Sequence, residues 1–250
     1  METKVNIMDL EVDIISIDYL ILNCKGFLTN DSLNIIYLVS TKTIQETMND
    51  EHYIECFQNA DFVLPGEETV LSLHHVDTLQ TQGMIVDYHF LYSMFESITE
   101  DEKTVFIVGR NENEIERYKQ FNDKNYEHLK IVGSFTEKDL EKEEIVINEI
   151  NSIAPDILIF AIDSPLQEKW IASNYLKLNA KLCISIGGVI EHILKDNKEI
   201  PTWIKKIKLE TLYRRLFQSK KVHKIKEAYN FKKRMQYYKS KKENKIENTK

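Results

Sequence analysis

Glycine and proline are scarce here, 7 and 4 in 250 residues, so few hinges or turn-rich repeats are available. Cysteine is scarcer. Cys24, Cys56 and Cys183 are odd in number, far apart and without metal spacing. A disulfide framework is excluded, and a reducing compartment is the expectation. No apolar run approaches the roughly 20 residues that cross a bilayer. The opening stretch, METKVNIMDLEVD, lacks the basic and apolar regions of a secretory leader, so neither secretion nor membrane spanning is expected. What is present is a 42% hydrophobic content, ample for a packed core and incompatible with global disorder. The length suits one large domain or a domain with an appendage.

The net charge of −7 hides a division. Residues 201–250 hold 17 Lys and Arg against 4 Asp and Glu, a net of +13, which leaves −20 on the first 200. An acidic body with a basic tail points to a polyanionic partner for the tail. Interleaved among the tail's cations are Tyr213, Leu216, Phe217, Ile225, Tyr229, Phe231, Met235 and Tyr238. That mixture reads as a membrane-surface element, with nucleic acid as the competing partner.

Five apolar runs read as strands: Ile35–Ser40, Val105–Val108, Leu129–Val132, Ile157–Ile162 and Leu182–Ile186. The run ILIFAI is continuously apolar, as a strand covered on both faces should be. Helical stretches lie between: about Ile44 to Phe57, one after Asn111, one over Glu137–Ile153 carrying Leu140, Ile145, Ile150 and Ile153, and one from Pro165. The alternation predicts an α/β domain over 1–200, a Rossmann-like, mostly parallel sheet with helices on both faces, and a basic helical appendage over 201–250. Ligands of such sheets sit at the strands' carboxyl ends, after Ser40, Val108, Val132, Ile162 and Ile186.

Several segments at those ends have two readings. In SPLQEKW, Ser164 suits an N-cap, Pro165 the first helical position, and Gln167 completes a capping box, with Trp170 in the core. The same helix start can instead face a phosphate or sugar. Gly109-Arg110 can cradle a diphosphate or form an ordinary turn. Gly187-Gly188 permits close approach of a ligand or of the next helix. Glu67 and Glu68, after Pro65-Gly66, offer a general base or a solvated turn. His74-His75 near Asp77 lacks a third ligand, so no metal is expected.

Taken together and in order, PDILIFAIDSPLQEKWI (Pro155–Ile171), CISIGGVIEHI (Cys183–Ile193), Pro201 with Trp203, and LETLYRRL (Leu209–Leu216) resemble the WecG/TagA/CpsF family, glycosyltransferase family 26. NADFVLPGEETV (Asn59–Val70) and TVFIVGRNENEI (Thr104–Ile115) extend the likeness over about Ile35 to Lys221. The resemblance implies an inverting, metal-independent transfer, with no cofactor, of an N-acetylated hexosamine from a UDP-sugar donor. The acceptor it implies is a lipid-diphosphate-linked sugar, in cell-surface polysaccharide or teichoic acid synthesis. It implies a cytoplasmic protein whose tail meets the anionic inner face of the plasma membrane rather than nucleic acid. Ser40, Gly109, Arg110, Gln167, Glu168, Gly187, Gly188 and Arg214 are the expected substrate-binding residues. The departures concern the chemistry. The position of the family's proposed base aspartate is Pro65, which moves the base to Glu67 or Glu68. The family's asparagine after its first strand is Lys42, and two glycines before the SPLQE segment are Ala161 and Asp163, the latter set to repel a diphosphate. Those losses keep a second expectation open: a catalytically degenerate paralogue that binds an active glycosyltransferase or a second copy of itself.

Overall fold

The computed structural model describes residues 3–66, 70, 89–98, 102–187, 233, 235–237 and 240. Within these, six strands form one all-parallel sheet. They are β3 (Asn34–Val39), β4 (Phe62–Pro65), β5 (Lys103–Gly109), β6 (Leu129–Thr136), β7 (Ile157–Ala161) and β8 (Leu182–Ser185), in the spatial order β4-β3-β8-β7-β5-β6. An antiparallel hairpin of β1 (Thr3–Ile7) and β2 (Leu10–Ile14) lies beside β4. Its Asp13 accepts the Val63 N–H at 2.8 Å, occupying a backbone donor on the sheet's edge strand. Positive φ at Met8 and Asp9 makes the tight turn.

Alternation within each strand feeds two cores. On one face Ile35, Tyr37, Val39, Leu158, Phe160 and Cys183 meet α2 (Thr41–Asn49), a 3-10 helix (Glu51–Phe57), α5 (Glu143–Ile153) and α6 (Leu166–Asn174). On the other, Ile36, Leu38, Ile157, Ile159 and Ile184 meet α1 (Ile17–Phe27), α3 (His89–Ser97) and α4 (Glu112–Asn125). The five expected strands are all present, and ILIFAI is covered on both sides as its pattern required. Periodicity did not reveal β1, β2 and β4, which are short and edge-placed.

Two expected helices are broken. Asp50 is extended (φ −134°, ψ 104°), ends α2, and caps the 3-10 turn through its carboxylate on the His52 N–H at 3.1 Å. The stretch over Glu137–Ile153 begins with a capping box, the Asp139 carboxylate taking the Thr136 N–H at 2.8 Å, and divides at the non-helical Lys142 (φ −98°, ψ 57°) into a 3-10 turn (Glu137–Glu141) and α5. Ile145 then points outward, 59% exposed, while Val146, Ile147 and Ile150 face the core. Strand β6 runs on to Thr136, beyond the expected Val132, with a register shift opposite Val105/Phe106. In the basic tail, Met235 is buried in the first core rather than free to face lipid.

Candidate active site

The connection after β5 leads outward to β6, whereas that after β7 returns to β8 on the other side. Their helices, α4 and α6, lie on opposite faces. The carboxyl ends of β5 and β7 therefore flank a switch point, where open parallel sheets leave a crevice. Ser40, Gly109-Arg110, Asp163-Ser164 and Gly187 all end strands along this rim.

Glu168 anchors the site from beneath. It is 1% exposed, on the first turn of α6. Its Oε1 accepts the Ser164 hydroxyl at 2.8 Å and the Gln167 Nε2 amide at 2.9 Å. Gln167 Oε1 in turn accepts the Gly187 N–H at 3.2 Å, where Gly187 holds φ +60°. From Ser164 a second arm runs through Thr43, with hydroxyl oxygens 3.0 Å apart, to Ser40 at 3.1 Å. Burial pushes the Glu168 carboxyl up from its ordinary value, and the Gln167 and Ser164 donors offset only part of that. Glu168 Oε2 is buried with no hydrogen-bond partner. The Tyr53 hydroxyl faces Glu168 and Ser164 but likewise makes no hydrogen bond of good geometry.

This arrangement replaces the expected capping box. α6 begins at Leu166, with Pro165 flanking it after a cis Ser164–Pro165 bond, and no side chain caps it. The Ser164 hydroxyl is drawn to the buried carboxyl instead of to the helix's amides. The box forms elsewhere: Ser40 caps α2, accepting the Thr43 N–H at 3.2 Å, while Thr43 Oγ1 accepts the Ser40 N–H at 3.1 Å. Trp170 is buried as expected, its ring centroid 5.2 Å from that of Phe160.

Other expected residues take plainer roles. A Cβ on Gly109 would stand 2.6 Å from Ile115 Cγ1, so the glycine admits α4 close to the strand. Arg110 is held by the buried Glu114 carboxylate, at 3.1 Å from Nε and 2.8 Å from Nη2. Gln167 and Glu168, each 1% exposed, support the rim from behind. Asp163, read as a repulsive charge, pairs with Lys42 at 3.0 Å, and the pair joins the ends of β3 and β7 across β8. Glu67, Glu68, Gly188, Arg214, His74 and His75 lie outside the described residues. Among the described residues no cluster of His, Cys, Asp and Glu is set to hold a metal ion. Nor is any helix among them long and apolar enough to cross a membrane. Sequence reading missed Thr43 and Tyr53. The Ser-x-x-Thr spacing from Ser40 signals the first; nothing local signals the second, which arrives by packing on Phe57.

A match to the glycosyl transferase WecG/TagA/CpsF family covers residues 5–232. The chain belongs to this family. Among curated relatives is an N-acetylglucosaminyldiphosphoundecaprenol N-acetyl-beta-D-mannosaminyltransferase of Staphylococcus aureus strain NCTC 8325 / PS 47. It is 21% identical over 225 residues, 89% of this chain and 88% of its own. Its counterpart in strain MRSA252 is 22% identical over 226 residues, with the same coverage. The family match takes in both the hairpin that begins the chain and most of the basic segment.

Proposed function

We propose that the protein is a glycosyltransferase that moves an N-acetylated hexosamine, of the N-acetylmannosamine kind, from a UDP-sugar to a polyprenyl-diphosphate-linked sugar. The observation that carries this reading is the family match over residues 5–232, which includes every strand of the sheet and its rim. The relatives' shared activity, on an N-acetylglucosaminyl-diphosphoundecaprenol acceptor, gives the sugar and acceptor classes.

In this reading the acceptor hydroxyl attacks the donor's anomeric carbon, UDP leaves, and the configuration inverts. The proton leaves for a carboxylate in the turn after β4. Pro65, last in that strand and paired with Val39, holds no proton-accepting group, so Glu67 or Glu68 serves as base, with Glu67 preferred. Gly187 and Gly188 leave room for the nucleotide, and Ser40 contacts the sugar. Arg214 supplies positive charge near the diphosphate.

Transfer assays on Glu67→Gln and Glu68→Gln test the base. One variant should lose about 10²–10⁴-fold in rate and the other little, with both folded. Full activity in the double variant would move the base elsewhere. No transfer by the wild type with any UDP-hexosamine would favour the degenerate-paralogue reading that Pro65 motivates.

A further inference from the structure

We propose that Glu168 is a positioning residue: buried and accepting two donors through Oε1, it fixes the hydrogen-bond direction in two arms that end at Ser40 and Gly187. The inference rests on the glycosyltransferase reading and adds a residue to it.

The directions follow from counting protons. Glu168 Oε1 receives two donors, the Ser164 hydroxyl and the Gln167 amide, so it acts only as an acceptor. The single Ser164 proton is thereby spent, and Ser164 can only accept from Thr43 across their 3.0 Å contact. Thr43 then has no proton left, so across the 3.1 Å contact Ser40 must donate to Thr43. Ser40 Oγ already accepts the Thr43 N–H, and it is left to meet a ligand at the half-buried rim as an acceptor. In the other arm, the Nε2 bond to Glu168 turns Gln167 Oε1 toward the Gly187 N–H, holding the left-handed turn after β8. A ligand group bound by Ser40 should therefore be a donor, such as a sugar hydroxyl or amide N–H.

The surroundings favour the neutral acid. From β3 comes Tyr37, from the 3-10 helix Tyr53 and Cys56, and from β8 Cys183, all groups that burial pushes up and keeps uncharged. Ser185, beside Tyr37 in the sheet, and the hydroxyls of Tyr37 and Tyr53 are buried and unpartnered, as is Glu168 Oε2. On α6 itself, Lys169 turns outward to Asp50 at 3.0 Å. Among the described residues no cation is paired with Glu168, and the groups that favour its charged form, Gln167, Ser164 and Tyr53, offset its burial only in part. An ionised carboxylate here would have no counter-charge.

The sign of the pH dependence follows. The folded-state pKa is raised, so the stability due to the neutral carboxyl is full below the ordinary carboxylate value and is lost as pH rises through the folded value. The test compares full-length wild type, Glu168→Gln, Glu168→Ala and Thr43→Val, by thermal midpoint and by kcat and KM for transfer, from about pH 5 to 9. The wild-type midpoint should fall with rising pH relative to Glu168→Gln, and wild-type kcat should fall over the same range. Glu168→Ala should lose about 10-fold or more in kcat at every pH, and Glu168→Gln should restore the low-pH rate without the alkaline decline. Thr43→Val should stay folded, keep the pH-dependent midpoint and lose kcat. Coincident midpoint curves for wild type and Glu168→Gln, or full kcat in Thr43→Val, would overturn the role of Glu168 while leaving the reaction intact. Absence of turnover in the wild type would overturn both.

Discussion

Gly109 shows how a single residue at the rim can be settled by its neighbours. Its missing side chain leaves room for Ile115, 2.6 Å from where a Cβ would lie, and that atom is a branch carbon next to the helix backbone rather than a flexible tip. Gly109→Ala should therefore cost about 1–3 kcal/mol through overpacking, read from urea midpoints. In a cycle with Ile115→Ala the two should be coupled by about 0.5 kcal/mol or more; strict additivity would contradict the clash. The residue scale is also where the sequence was least legible. Glycine after a strand reads as a cradle for phosphate or as a contact point, and the position of Ile115 supplies the contact. Arg110 likewise offered its charge to a diphosphate, but the Glu114 carboxylate, four residues on, engages two of its three guanidinium nitrogens. Glu168 was legible as a site residue but not as a buried one, because its burial depends on Tyr37 and Tyr53, more than a hundred residues away in sequence.

At the scale of elements, the strands were legible because burial on both faces demands unbroken apolar runs, and β3, β5, β7 and β8 have them. The helices were less so. Single non-helical residues, Asp50 and Lys142, break the periodic stretches, and such local changes leave the hydrophobic spacing almost unchanged. A further aspartate ties strands together at the end of the sheet away from the rim. Asp156, just before β7, accepts the Thr104 N–H and hydroxyl of β5 at 3.0 Å each, and Lys181 just before β8 at 3.0 Å. Burial opposes its charge, but the Thr104 and Lys181 bonds outweigh that and hold its pKa below the ordinary 3.8. With the folded value depressed, the stabilisation is present above 3.8 and lost as pH falls through the folded value. Asp156→Asn should lower the thermal midpoint near neutral pH, and the gap to wild type should shrink as the solution is taken below pH 3.8. A gap that stayed constant through that range would show that the carboxylate's charge contributes nothing.

For the whole molecule, the division between an acidic body and a basic tail matches an enzyme whose acceptor is anchored in a membrane. Residues 201–250 carry a net +13, and each Lys or Arg near an anionic surface contributes about 1 kcal/mol. Met235 is the exception within that segment, since it packs into the body's core and ties the tail to the domain. The intact protein should sediment with phosphatidylserine-containing vesicles and be released by salt; equal binding to neutral vesicles would remove the electrostatic argument. The most direct measurement of the account is transfer itself: the full chain, UDP-N-acetylmannosamine, and an N-acetylglucosaminyl-diphospho-polyprenol in anionic vesicles, with released UDP and the mass of the lipid product followed together. One UDP should be released for each N-acetylhexosamine added to the lipid, with no added metal. The proposed transfer would be contradicted if the lipid stayed unmodified with that donor and with the other UDP-N-acetylhexosamines.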